Sequence, residues 1–180
     1  IIVFNHRPHK YKNYDWFLKQ MDRLWEHRQD FEVWVPLTDT PTKPYMTNDK
    51  YDRFGYFSKL SSCYIGISCK QRYGGWAISS TDGMSVGVPY MFSDDDYYHE
   101  LADSAGIYYK DEDEFFNKLN NILDNQELRD EWSEKSLDRF EQGKWETAIN
   151  QFNDMLNETI NNLPTIGETD SYKRILDFIH

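Results

Sequence analysis

Two short stretches hold residue types whose spacing can do chemistry. The first runs Gly74-Gly75-Trp76-Ala77, then Ile78-Ser79-Ser80-Thr81-Asp82, then Gly83-Met84-Ser85-Val86-Gly87-Val88-Pro89 and an apolar Tyr90-Met91-Phe92. It reads as a glycine-rich turn that opens a helix and leads on to a strand. The first N–H groups of a helix have no partner within it, and together with the helix dipole they hold phosphate oxygens well. Ser79, Ser80 and Thr81 are therefore candidate diphosphate contacts, and Asp82, one turn in, is placed to accept hydrogen bonds from ribose hydroxyls. The second stretch is Asn5-His6-Arg7 with Lys10 and Lys12, directly after the first apolar run. Arg7 offers paired, planar donors to a phosphate, and Lys12 adds a compact charge. Two anion-holding loops in one chain point to a nucleoside diphosphate.

Other groupings argue for less. Ser93-Asp94-Asp95-Asp96 invites a divalent-metal reading, but Asp95 or Asp96 also stands where it would cap a helix Tyr97–Ala102. The capping role is the expected one, with no metal. His6 and His9 share a loop rather than one face of a helix, which is poor spacing for zinc. His27 and His99 read as helix-surface residues. No nucleophile–base pair can be named.

The elements that must position these residues follow from periodicity. Ile1–Asn5 reads as a buried strand and Tyr14–Arg28 as a helix with Phe17, Met21 and Leu24 inward. Phe31–Val35 alternates as a second strand, and Pro36–Pro44, with three prolines, is a loop. A short helix over Asp52–Ser61 aligns Phe54, Phe57 and Leu60. Tyr64–Ser68, Val88–Phe92 and an edge-like Ile107–Tyr109 complete the strands. Asp111 with Glu114 forms a capping box for a helix that buries Phe115, Leu119 and Ile122. A helix from Asn125 or Gln126 with Leu128, Trp132 and Phe140 follows, then one over Lys144–Asn162 through Trp145, Ile149, Phe152 and Leu156. Pro164-Thr165-Ile166-Gly167 breaks the pattern, and Asp170 caps a last helix, Ser171–Ile179. Strands alternating with helices predict an α/β fold, a Rossmann-like parallel sheet flanked by helices. In such sheets ligands bind beyond the carboxyl ends of the strands, where both candidate loops fall.

Composition bounds the function classes. The 180 residues suit a single domain with a helical extension, here residues 1–163 with a linker and helix at 164–180. Net charge is −11, which repels polyanions, so direct nucleic-acid binding by this domain is not expected. Mean hydropathy is −0.83, and no apolar run approaches the roughly 20 residues of a membrane helix. No signal-peptide pattern is visible, and Cys63 and Cys69 read as reduced core residues, so a cytoplasmic setting is expected. The chain opens on an apolar strand without an initiator Met, which reads as a piece of a longer protein.

Taken in order, these motifs resemble the C-terminal, donor-binding domain of GT-B glycosyltransferases, in the large retaining "group 1" class, from about Ile1 to Phe152. That family opens this domain with a strand, then an Arg and a Lys on the donor diphosphate; Arg7 and Lys12 match. It later shows an acidic residue, seven others, then Glu-Ala-Met-Ala-x-Gly-x-Pro, and Asp82-Gly83-Met84-Ser85-Val86-Gly87-Val88-Pro89 matches the second half. The resemblance implies that Asp82 binds ribose and that Ser79, Ser80 and Thr81 offer N–H groups to the distal phosphate. In this register Gly74 replaces the family's first acidic residue, which meets the donor sugar. The backbone of Gly74, Gly75, Trp76 and Ala77 is left for that role. It further implies a UDP-, GDP- or ADP-sugar donor, no metal, and transfer with retention to an acceptor hydroxyl. The acceptor and any catalytic residue would come from an N-terminal lobe absent from this chain. The competing expectation, drawn from Gly74, is a non-catalytic nucleotide- or sugar-binding lobe or a protein-interaction domain.

Overall fold

The computed structural model of the chain describes residues 1–73 and 77–162. The chain divides into two compact units, Ile1–Gln142 and Gly143–His180. The first is built on six short strands: β1 (Ile2–Val3), β2 (Val33–Trp34), β3 (Met46–Thr47), β4 (Ile65–Ser68), β5 (Tyr90–Ser93) and β6 (Gly106–Tyr109). All pair in parallel, in the order β3-β2-β1-β4-β5-β6. The order reverses between β1 and β4, and loops leaving those two strands diverge to open a crevice. The expected α/β, Rossmann-like parallel sheet is what forms.

Six helices flank it: α1 (Tyr14–His27), α2 (Arg53–Ser61), α3 (Ile78–Met84), α4 (Asp96–Ala102), α5 (Glu112–Asp124) and α6 (Gln126–Gln142). Successive strand residues face opposite sides, and two cores result. Ile2, Val33, Ile65, Ile67 and Met91 meet Phe17, Met21 and Leu24 of α1 and Phe115, Leu119 and Ile122 of α5. On the other side Val3, Trp34, Tyr90 and Phe92 meet Leu60 of α2, Met84 of α3 and Tyr98 of α4. From α6, Leu128 and Trp132 pack on the first core and Phe140 on the second. In the second unit, α7 (Trp145–Asn161) is the described element. The expected break at 164–167 and the helix at 171–179 lie outside the described residues.

Several local expectations change. β3 falls just past the proline-rich loop and is only two residues long, too short for any period to show. Phe54 does not join the buried face of α2; it is 86% exposed. It precedes Leu60 by six residues, which at 100° per residue is about 240° round the helix. Tyr56 and Phe57 pack instead. Asp95 occupies the N-cap of α4 without capping it; its carboxylate takes a 2.7 Å bond from Ser93 Oγ and a 3.0 Å ion pair from Lys70. Asp111 does cap α5, accepting from Glu114 N–H at 2.8 Å, but Glu114 reaches back to Lys110 N–H rather than to the cap itself.

Asn13 links the first loop to its helix. It closes a 3-10 turn, Lys10–Lys12, and precedes α1 at φ 56°, ψ 36°, without a side-chain cap bond. Glycine suits this left-handed conformation best and Asn next, whereas a Cβ-bearing residue costs about 1–2 kcal/mol there. Asn13→Ala is therefore expected to lower unfolding stability by about 1 kcal/mol and Asn13→Gly to leave it equal or higher, read by urea denaturation. Equal losses in both would locate the role of Asn13 in its side chain.

Candidate functional site

At the carboxyl ends of β1 and β4 a cleft of about 410 Å³ opens, lined by Asn5, His6, Arg7, Lys12, Tyr56, Ala77, Ser79 and Asp82 among others. Arg7, Lys12, Ala77, Ser79 and Asp82, drawn from two separate stretches, thus come together at the switch point. Gly74, Gly75 and Trp76 lie outside the described residues. Ser80 does not reach the cleft: it is fully buried, its hydroxyl is 2.6 Å from Ser68 Oγ, and its N–H donates to Ala77 O at 2.9 Å. Thr81 likewise donates its N–H to Ala77 O, at 3.3 Å.

Side chains to which the sequence gives no site role hold this geometry, chiefly His6 and Asn5. His6 is buried, with Nε2 2.7 Å from Ser68 Oγ and Nδ1 2.8 Å from Ser79 Oγ. Burial, with the Lys12 charge nearby, pushes its pKa down to about 3, so the ring is neutral. Asn5 Nδ2 donates to Ser79 O at 2.7 Å and to Tyr56 OH at 2.9 Å, while its Oδ1 accepts from Tyr90 OH at 3.0 Å. Ser79, at the start of α3, is thus tied to the loop leaving β1 by both backbone and side chain. The visible sequence signal was polar Asn5-His6 at the end of a buried strand, where unpaired polar groups are costly and so must meet partners.

Charges around the cleft divide by function. Lys12 Nζ donates to Gln71 Oε1 at 2.5 Å, which ties the two loops, and its pKa is lowered by partial burial and then by Arg7. Two cations without a carboxylate between them are poised for an anion. Asp82 is half-buried; desolvation raises its pKa, opposed by Arg53 and the Tyr56 hydroxyl. A second cleft of about 400 Å³ at the ends of β5 and β6 includes Asp94, Asp95 and Glu112. Its carboxylates are engaged: Asp94 with His99 at 2.6 Å, Asp95 with Lys70, and Glu112 with Lys19 at 2.8 Å. No group of three His, Cys, Asp or Glu side chains among the described residues is arranged to hold a metal. Cys63 and Cys69 are free and buried, their thiols pushed up to about 11 and about 12 by desolvation.

No protein-family model and no curated protein matches the sequence. Solved structures do match in fold. TarM superposes with a TM-score of 0.69 at 13% identity, over 87% of this chain and 34% of its own. Sucrose-phosphate synthase from Thermosynechococcus elongatus gives 0.68 at 11%, over 90% and 46%. The catalytic domain of cholesterol-alpha-glucosyltransferase from Helicobacter pylori gives 0.64 at 14%, over 79% and 98%. The chain thus spans about a third to a half of the first two. The fold is that of one lobe of GT-B glycosyltransferase structures.

Proposed function

We propose that this chain is the donor-nucleotide lobe of a retaining GT-B glycosyltransferase. The observation that carries the reading is the meeting of Arg7, Lys12, Ser79 and Asp82 in one cleft at the switch point of the sheet. Arg7 and Lys12 hold the diphosphate, Ser79 at the start of α3 faces the distal phosphate, and Asp82 takes the ribose hydroxyls. The backbone from Gly74 to Ala77 meets the donor sugar. As the acceptor hydroxyl displaces the nucleoside diphosphate, negative charge grows on the leaving oxygens, and fixed cations stabilise it without reorganisation. A further lobe supplies the acceptor site, and closure of the two lobes completes it. Neighbours named as a sucrose-phosphate synthase and an α-glucosyltransferase support sugar transfer as the class. No helix among the described residues is long and apolar enough to cross a membrane, and two buried free thiols support a cytoplasmic setting.

Calorimetric titration with UDP, GDP and ADP tests this. One nucleotide is expected to bind. Arg7→Ala and Asp82→Ala should each weaken it about ten- to hundred-fold, the worth of one hydrogen bond to a charged group at about 1.5–3 kcal/mol. Equal binding by the parent and Asp82→Ala would move the ribose contact elsewhere. Absence of binding to this chain and to the two-lobe protein alike would sink the donor-site reading.

A further inference from the structure

Four side chains form one continuous run of contacts that ends in the cleft. Ser80 Oγ lies 2.6 Å from Ser68 Oγ, Ser68 Oγ lies 2.7 Å from His6 Nε2, and His6 Nδ1 lies 2.8 Å from Ser79 Oγ. Ser68 and Ser80 are fully buried and His6 nearly so. Ser79 is half-buried and lines the cleft with Arg7 and Lys12. Its carbonyl is held by Asn5 Nδ2 at 2.7 Å, which fixes where its hydroxyl stands.

Distances alone let the protons of such a run point either way, and the partners at its two ends decide. The neutral ring of His6 carries one proton, and each hydroxyl carries one. With the ring proton on Nε2, His6 would donate to Ser68, Ser68 to Ser80, and the Ser80 proton would find no acceptor. Among the described residues Ser68 Oγ is the one group that the Ser80 hydroxyl meets. A buried donor left unmet costs its full desolvation. In the other direction every buried donor is met: Ser80 donates to Ser68, Ser68 to Nε2, and Nδ1–H to Ser79. Tyr98 does not divert Ser68, since its hydroxyl already accepts from Gln71 Nε2 and donates to Cys69 O. The proton left over belongs to Ser79, and no described residue takes it. A hydroxyl whose open function is to donate, in a cleft with two cations, suits a phosphate oxygen, which only accepts.

We propose that the Ser79 hydroxyl donates to the distal phosphate of the bound nucleoside diphosphate, and that Ser80, Ser68 and His6 act as positioning residues that aim its proton there. The proposal rests on the donor-site reading. Its consequence for His6 is a ring proton on Nδ1 and a bare Nε2. Ser80, which does not reach the cleft, serves the phosphate through Ser68 and His6 rather than by contact.

Two measurements on this chain test it. Nitrogen-15 shifts of the His6 ring at neutral pH distinguish Nδ1–H from Nε2–H. Calorimetric titration uses whichever of UDP, GDP and ADP binds, and its monophosphate, against the parent, Ser79→Ala, Ser79→Thr, Ser68→Ala and the Ser68→Ala/Ser79→Ala pair, with thermal unfolding to verify each fold. The expected result is a proton on Nδ1. Ser79→Ala should lose at least about tenfold for the diphosphate and stay within about twofold for the monophosphate, while Ser79→Thr, which keeps the hydroxyl, binds as the parent does. Ser68→Ala removes the bond that holds Nε2 bare and should cost at least about threefold for the diphosphate. That loss should vanish in the Ser79→Ala background, because Ser68 acts through the Ser79 proton. A proton on Nε2 in the parent, diphosphate binding by Ser79→Ala within about twofold of the parent, an equal loss for the monophosphate, or additive losses in the pair would each overturn the proposal while leaving the donor site in place. Absence of nucleotide binding to this chain and to the two-lobe protein would instead sink the donor-site reading, and this proposal with it, whichever nitrogen holds the proton.

Discussion

Gly83→Ala is expected to destabilise the protein by about 2–3 kcal/mol, although alanine in a helix interior ordinarily gains about 1 kcal/mol over glycine. The reason is Tyr90. A Cβ on Gly83 would overlap the edge of the Tyr90 ring, at Cε2 and the hydroxyl, and a Cβ on Gly66 would clash with the same ring from β4. Gly66 and Tyr90 are register partners on neighbouring strands, so the ring is held between a strand and a helix that both lack side chains there. It is fully buried and cannot swing to solvent. Overpacking of this kind costs about 1–3 kcal/mol, more when backbone must shift. Tyr90→Leu alone should also destabilise, by losing ring contacts and the hydroxyl bond to Asn5. Combined with Gly83→Ala the losses should be less than additive, by at least about 1 kcal/mol in a double-mutant cycle from urea unfolding. A neutral or stabilising Gly83→Ala would refute the packing argument. The functional stake is that the Tyr90 hydroxyl orients Asn5, which in turn holds Ser79 O at the cleft.

Much of this architecture was legible because long periodic segments declare themselves. The buried stripes of α1 and α5 appeared as Phe17, Met21, Leu24 and as Phe115, Leu119, Ile122, and all six are buried. The parallel sheet followed from their alternation with strands, and the switch-point cleft followed from the sheet. What failed to show was set by tertiary contact. Two residues of β3 carry no period. Phe54 looked apolar and aligned, but its face of α2 meets no layer. Ser80 looked like a phosphate contact because a sequence gives the position of a hydroxyl and not its partner; Ser68 takes it. His6 reads from the sequence only as a loop residue with poor metal spacing, since nothing in the chain announces that hydroxyls on β4 and α3 will flank it. The site was readable as two loops, whereas the network that locks those loops together was not.

That network should give the protein a pH dependence of its own. His6 has a folded-state pKa of about 3 against an ordinary value of 6.5, so between those limits the unfolded chain binds the extra proton. Stability is then fully present above pH 6.5 and is lost as pH falls, at about 1.4 kcal/mol per pH unit. From pH 7 to pH 5, while exposed carboxylates remain ionised, the loss from this one residue is about 2 kcal/mol; if the fold survived to pH 3 it would approach 5. Urea unfolding of the parent and His6→Gln at pH 7 and pH 5 isolates the effect. The variant should be less stable at pH 7, because Ser68 and Ser79 lose hydrogen-bond partners, and should close most of that gap at pH 5. Parallel losses in both proteins would show that His6 is not the titrating group. The same geometry decides what this histidine does in the site. Both ring nitrogens are occupied by hydroxyls, so neither is open to a metal or to a substrate proton. A neutral imidazole adds no charge next to Arg7 and Lys12, and it joins the Ser79 end of α3 to Ser68 at the end of β4. His6 therefore acts as a positioning residue, and because its ring stays neutral in the folded protein down to about pH 3, nucleotide affinity should not change through its titration between pH 7 and pH 5.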